Sequence, residues 1–158
     1  DECVAALPEE CRDNYQLWIR VDSAGFSRSV VETATRHSAA FSITCVQNKA
    51  IRRAIEAVAT NPETIWTPAK EADGELTGSE VAECTYRFAK RDLRLIVRRQ
   101  RKATGEQLSF DDLGGFRFFA LMTNVPPILA SAIDVHTTTA CVAAHPKRPS
   151  ASSSTTSG

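Results

Sequence analysis

Apolar residues recur along this chain at two different spacings, and the switches between them mark out its elements. Val4, Leu7 and Cys11 stand at helical spacing over residues 2–12, and Leu17, Ile19 and Val21 then alternate with polar or mixed neighbours in a strand-like run ending at Asp22. Ser23-Ala24-Gly25 supplies turn chemistry, and residues 26–37 place Val30, Val31 and Ala34 on one helical face. Two-residue alternation returns at Phe41, Ile43 and Cys45. The pattern predicts a β-α-β unit whose crossover suits parallel, adjacent strands with a right-handed connection, and hence an α/β fold class.

Asn48 is placed to cap a second helix through Ala59, with Ile51, Ile55 and Val58 on one face and Arg52 and Arg53 exposed between them. Asn61-Pro62 ends it. Residues 62–78 hold Pro62, Pro68, Gly74 and Gly78 among acids, which predicts an irregular excursion. Three strands are predicted after it, over residues 80–88, 93–100 and 116–123. A loop with Gly105, Asp111, Asp112, Gly114 and Gly115 joins the last two, which are expected to pair as an antiparallel hairpin or to lie as sheet neighbours. None of the acids lies beyond Asp134, and Thr, Ser, Ala and Pro dominate residues 136–158. The expected organisation is a domain over residues 1–134 and a disordered tail over 135–158.

A length of 158 residues with 42% hydrophobic content is enough for one domain with a real core. Lys plus Arg and Asp plus Glu stand at 19 each, so any contact with nucleic acid has to come from a local patch and not from net charge. The chain has no apolar run of membrane-spanning length and no charged-then-apolar leader. The expectation is therefore a cytoplasmic protein with no membrane partner. It opens at Asp1, without Met, in an apparent helix, which leads us to expect that upstream sequence belongs with it. Cys3, Cys11, Cys45, Cys84 and Cys141 are an odd, scattered set, which argues against a disulfide framework or zinc site and for small, mostly buried apolar residues.

Two features could carry chemistry. Asp22 is expected to end a central strand, flanked in the sheet by the strand over Phe41–Cys45, just before a small-residue turn into a helix, where open α/β sheets place their sites and where a carboxylate can bind a hard cation. An Asp-Ser at such a junction is equally a helix cap. One carboxylate cannot hold a catalytic Mg²⁺ alone, because paired ions need several acids converging. The second feature is the basic run over residues 93–102, in which alternation puts Arg94 and Arg98 on one face and Leu95, Val97 and Arg99 on the other. Arg94, Arg98, Arg101 and Lys102 are the candidates for DNA-phosphate contact. The competing reading pairs this run with acids such as Asp92 and Glu106. His37, His136 and His145 have no ligand-like spacing, and Trp18 and Trp66 read as packing residues.

Four stretches in order resemble a family of bacterial insertion-sequence transposases with a DDE catalytic domain, often labelled transposase DDE domain, group 1. They are Ile19-Arg20-Val21-Asp22-Ser23-Ala24-Gly25, Gly78-Ser79-Glu80-Val81-Ala82-Glu83, Leu95-Ile96-Val97-Arg98-Arg99 with Gln107-Leu108-Ser109-Phe110, and Phe118-Phe119-Ala120-Leu121-Met122-Thr123-Asn124. The resemblance covers residues 1 to about 134. It implies a partial RNase H-like fold with a β-rich insertion over about 48–124, a first catalytic Asp upstream of this chain, Asp22 as the second, and a Glu on a later helix. It also implies bound Mg²⁺, element-end and target DNA as partners, self-association, and a place at the bacterial nucleoid.

After Asp134 the chain departs from the family pattern. Residues 136–158 can be encoded by codons that, read two nucleotides later, spell a segment like the missing Glu helix, so a frameshift is expected. The chain alone is then expected to be inactive. Two other readings stay open: a non-catalytic remnant that binds DNA or intact transposase and dampens transposition, and an unrelated α/β metal-dependent hydrolase fragment in which Asp111 or Asp134 converges on Asp22.

Overall fold

The two alternating segments around the helix predicted over residues 26–37 form strands β1 (Trp18–Val21) and β2 (Ala40–Thr44) in a computed structural model. The structure describes Ala6, Pro8, residues 17–70, 74–103, Gly105 and residues 113–137. β1 and β2 are parallel, with Ile19 opposite Phe41 and Val21 opposite Ile43. A 3₁₀ turn, Ser23–Gly25, and helix α1 (Arg28–Arg36) make the crossover. Ser27 starts α1 by accepting a hydrogen bond from the Val30 N–H at 3.4 Å, and Val31 and Ala34 are buried beneath it. The predicted β-α-β unit is present.

Helix α2 (Lys49–Thr60) starts where its cap was expected: Asn48 Oδ1 accepts from the backbone N–H groups of Ala50 at 3.0 Å and Ile51 at 3.1 Å. Ile51, Ile55 and Val58 are its buried stripe, and Arg52 and Arg53 are exposed. Residues 62–78 depart from the expected irregular excursion. They contain β3 (Thr67–Lys70) and the start of β4 (Leu76–Phe88), which pair antiparallel. Pro68 fits because β3 is the last strand in the sheet order and its register shifts between Pro68 and Lys70, positions at which a missing N–H is tolerated.

β4, β5 (Arg91–Arg101) and β6 (Phe116–Thr123) form an antiparallel meander, as the hairpin expected for the last two requires. β6 then pairs antiparallel with β2, Met122 lying opposite Ile43. The result is a mixed α/β fold with one six-stranded sheet in the order β1-β2-β6-β5-β4-β3. Period-two alternation sends side chains to two cores. The larger packs α1 and α2 against Phe41, Ile43, Leu95, Val97 and Met122. The smaller gathers Ala69, Val81, Ile96, Leu121 and Val125 around Val135 of a short helix α3 (Ala132–Thr137), with Trp18 against it.

Two expectations about position change. Asp22 was expected to follow a central strand, yet among the described residues β1 is the outer strand beyond β2. Its own pattern explains this: Arg20 is exposed, whereas a parallel strand covered on both faces is apolar throughout. The packed chain also runs past the expected boundary at Asp134, since Val135 is fully buried. Residues 138–158 and almost all of the predicted helix over 2–12 lie outside the described residues, as do Cys3, Cys11, Cys141, His145, Glu106 and Asp111. No described helix is long and apolar enough to cross a membrane.

Candidate functional site

Asp22 stands at the carboxyl end of β1, next to parallel β2, and its side chain is exposed. Oδ1 accepts from the backbone N–H groups of Ala24 at 3.1 Å and Gly25 at 3.3 Å, so the carboxylate caps the 3₁₀ turn. The turn folds back tightly: a Cβ on Gly25 would stand 2.0 Å from Val21 Cγ1, so a larger residue there would displace the Val21 side chain. The capping reading of Asp22 is thus realised in its geometry. A cap and a metal ligand are compatible roles for one carboxylate, since two oxygens carry several lone pairs.

No group of three or more His, Cys, Asp or Glu residues placed to hold a metal ion occurs among the described residues. Asp134, the acid proposed to converge on Asp22, is committed to its own helix. Its Oδ2 accepts from the Ser131 hydroxyl at 2.6 Å and the Ser131 N–H at 3.0 Å, while the Ser131 hydroxyl accepts from the Asp134 N–H. Those Ser131 bonds hold its carboxyl below the usual carboxylate range. The described residues therefore do not by themselves make up the set of converging acids that a Mg²⁺ site needs.

The four basic candidates fall into different environments. Arg94 is largely buried: Nε donates to Glu83 Oε2 at 3.0 Å, Nη2 pairs with the same oxygen, and Nη1 donates to the carbonyls of Val125 at 2.7 Å and Ala130 at 3.0 Å. It ties β5 to β4 and to the loop before α3. Arg98, on the same face, sits 4.5 Å over the Phe119 ring with Nη1 3.4 Å from His136 Nε2. Arg101 is exposed and lies 5.2 Å from the Phe116 ring centre, and the Lys102 N–H donates to the Gly115 carbonyl. On the opposite face Arg99 stacks 4.0 Å over Trp66 and donates to Glu80 at 2.7 Å. Acid pairing of this run is thus present: Glu83 and Glu80 on β4 serve Arg94 and Arg99, while Asp92 pairs with Arg87.

The Thr123-Asn124 pair at the end of β6 does structural work that its place in the aromatic strand motif does not reveal. The Asn124 side chain accepts from the Phe41 N–H at 2.8 Å and donates to the Ala39 carbonyl at 2.9 Å, copying one more rung of the sheet. Trp18 and Trp66 pack against the cores as expected. Cys45 and Cys84 are free; Cys45 is buried, and burial pushes its thiol up to about 12. Cys84 opens onto a groove of about 600 Å³ between α2 and β4, but burial and neighbouring Glu83 raise its thiol as well, so it is no ready nucleophile.

His136, read from sequence as a bland residue, meets Arg20 and Arg98 around a second, smaller cavity. Nothing in local spacing joins positions on β1, β5 and α3, so only the sheet order brings them together. The chain thus defines a mixed α/β protein with an acid at a strand terminus and a separate cationic cluster. Comparison with protein-family models and with curated proteins finds no match for it.

Proposed function

We propose that this chain is a fragment of a bacterial insertion-sequence transposase with a DDE catalytic domain, a cytoplasmic, nucleoid-associated protein with a partial RNase H-like fold acting on element-end and target DNA. The observation that carries the reading is the place of Asp22, at the carboxyl end of β1 and directly beside the parallel strand β2. That is where α/β sheets put reacting groups, and it is also where the four ordered sequence stretches put the family's second acid. In this reading Asp22 is one ligand of a Mg²⁺ set whose other acids come from sequence before β1 and from the Glu helix encoded in the alternative frame. The chain by itself does not cut DNA.

The test is a strand-nicking assay on element-end DNA with Mg²⁺. It compares the chain alone, a version completed with the upstream segment and the restored frame, and the completed version carrying Asp22→Asn. Asn caps as well as Asp does, so the fold is kept while the carboxylate is lost. Nicking by the completed protein only, abolished by Asp22→Asn, is the expected result. Nicking by the chain alone, or a completed Asp22→Asn protein that still cuts, overturns it.

A further inference from the structure

On the sheet face that carries Leu95 and Val97, the end of β5 builds a ladder of stacked rings and guanidiniums. Arg99 lies 4.0 Å over the Trp66 ring and 4.9 Å from the centre of the Phe116 ring, and Arg101 lies 5.2 Å from the centre of that same Phe116 ring. Two cations thus share one aromatic side chain. Glu80 Oε2 accepts from Arg99 Nε at 2.7 Å, so the Arg99 fork is held by two rings and a carboxylate and needs no further ordering to receive a ligand.

The remaining donors suit an anion. Arg99 Nη1 and Nη2 make no hydrogen bond among the described residues, and both stay open to solvent. Arg101 is exposed and has no acidic partner among those residues. Glu80 therefore offsets one of the two charges and leaves the other. Room is present as well: Ser79 lies opposite Gln100, which brings Gly78 level with Arg101, and a Cβ on Gly78 would meet nothing within 4 Å. A carboxylate offers two oxygens in one plane, and a single arginine fork occupies them. The tetrahedral oxygens of a phosphate accept from a fork and from a second cation at once, which is what Arg99 and Arg101 together provide.

We propose that this end of the sheet face binds a phosphate group between the Nη1/Nη2 edge of Arg99 and the guanidinium of Arg101, with Trp66, Phe116 and Glu80 as the residues that position the Arg99 fork. The site stands on its own geometry and needs neither Asp22 nor the transposase reading. Where that reading holds, the phosphate is one of a DNA backbone.

The experiment titrates the full chain with inorganic phosphate at constant ionic strength and follows the two indole N–H signals by NMR. Trp66 carries Arg99, whereas Trp18 packs against the other core, so phosphate should shift Trp66 saturably and leave Trp18 in place. Arg101 is exposed, so Arg101→Gln keeps the fold and should weaken phosphate binding about five- to tenfold. Arg53→Gln, at an exposed position of α2, should change nothing. A Trp66 signal indifferent to phosphate, an Arg101→Gln variant that binds as the parent does, or equal weakening by Arg53→Gln overturns the site. A second arm measures binding to a short DNA duplex against salt: Arg101→Gln should reduce the slope of log affinity on log salt by about one. If inorganic phosphate binds but that slope is unchanged, the site stands and its assignment to a DNA backbone is overturned.

Discussion

The Thr123 hydroxyl donates a 2.6 Å hydrogen bond to the Phe41 carbonyl and accepts one from the Val125 N–H at 3.1 Å, all in a fully buried position. Together with the Asn124 amide, it extends the β2–β6 ladder beyond its last paired residues, Ser42 and Thr123. The seam between the β-α-β unit and the meander is thus closed partly by side chains.

Replacing Thr123 by Val keeps the shape and removes both bonds from a dry site, so we expect a loss of about 1–3 kcal/mol in urea unfolding. Asn124→Ala also removes two bonds, but at an exposed residue where water replaces them. Its cost should be about 1 kcal/mol. An Asn124→Ala variant less stable than Thr123→Val would reverse this account.

Arg94 is expected to matter for stability first. Its guanidinium serves Glu83 and two loop carbonyls from one planar fork, a pattern that lysine cannot copy. Arg94→Lys should cost about 2 kcal/mol, and Arg94→Met about 3 kcal/mol because Glu83 and two carbonyls lose their donor. Thermal unfolding of both variants checks the order.

Acid should loosen α3 in two stages. The folded state lowers the titration of His136 from its ordinary 6.5, so the unfolded chain binds the extra proton first, and stability falls as pH drops below 6.5 and through the folded value. Asp134 is likewise lowered, from 3.8, by Ser131, so its contribution is present above that value and lost as pH falls below it. Amide exchange of α3 followed against pH should show the first stage vanish in His136→Asn and the second in Asp134→Asn.

The β4–β5 hairpin turns through Ala89 and Lys90, at φ 49° and 63°. Both are left-handed, the pattern of a two-residue type I′ turn that favours Asn-Gly. Lys90 is exposed, so Lys90→Gly should stabilise the protein by about 0.5–1 kcal/mol with no change in packing. An unchanged or lower denaturation midpoint would show that the strain is absent.

That turn also shows where sequence reading stops. Periodicity located the β-α-β unit, α2 and the three later strands because each buries a stripe or a face. The Ala-Lys turn carries no Gly or Asn signal, so the short link between two strands passed unmarked. β3 was hidden by Pro68, which reads as a breaker unless the strand is known to lie at the end of a sheet. Asp22 was placed correctly beside β2 but not in mid-sheet. The roles of Arg94, Thr123 and His136 depend on β6 lying against β2, a long-range pairing that no local spacing encodes.

That same pairing bears on the order in which the protein assembles. The β-α-β unit and the meander each rest largely on contacts between near neighbours in the chain. The seam, by contrast, joins Phe41 to Thr123 and Asn124 across 82 and 83 positions. Closing so long a loop costs entropy that is returned only once both halves exist, so the seam should form after the folding transition state. Weakening it should therefore quicken unfolding and leave the folding rate nearly untouched, while damage inside the meander slows folding itself.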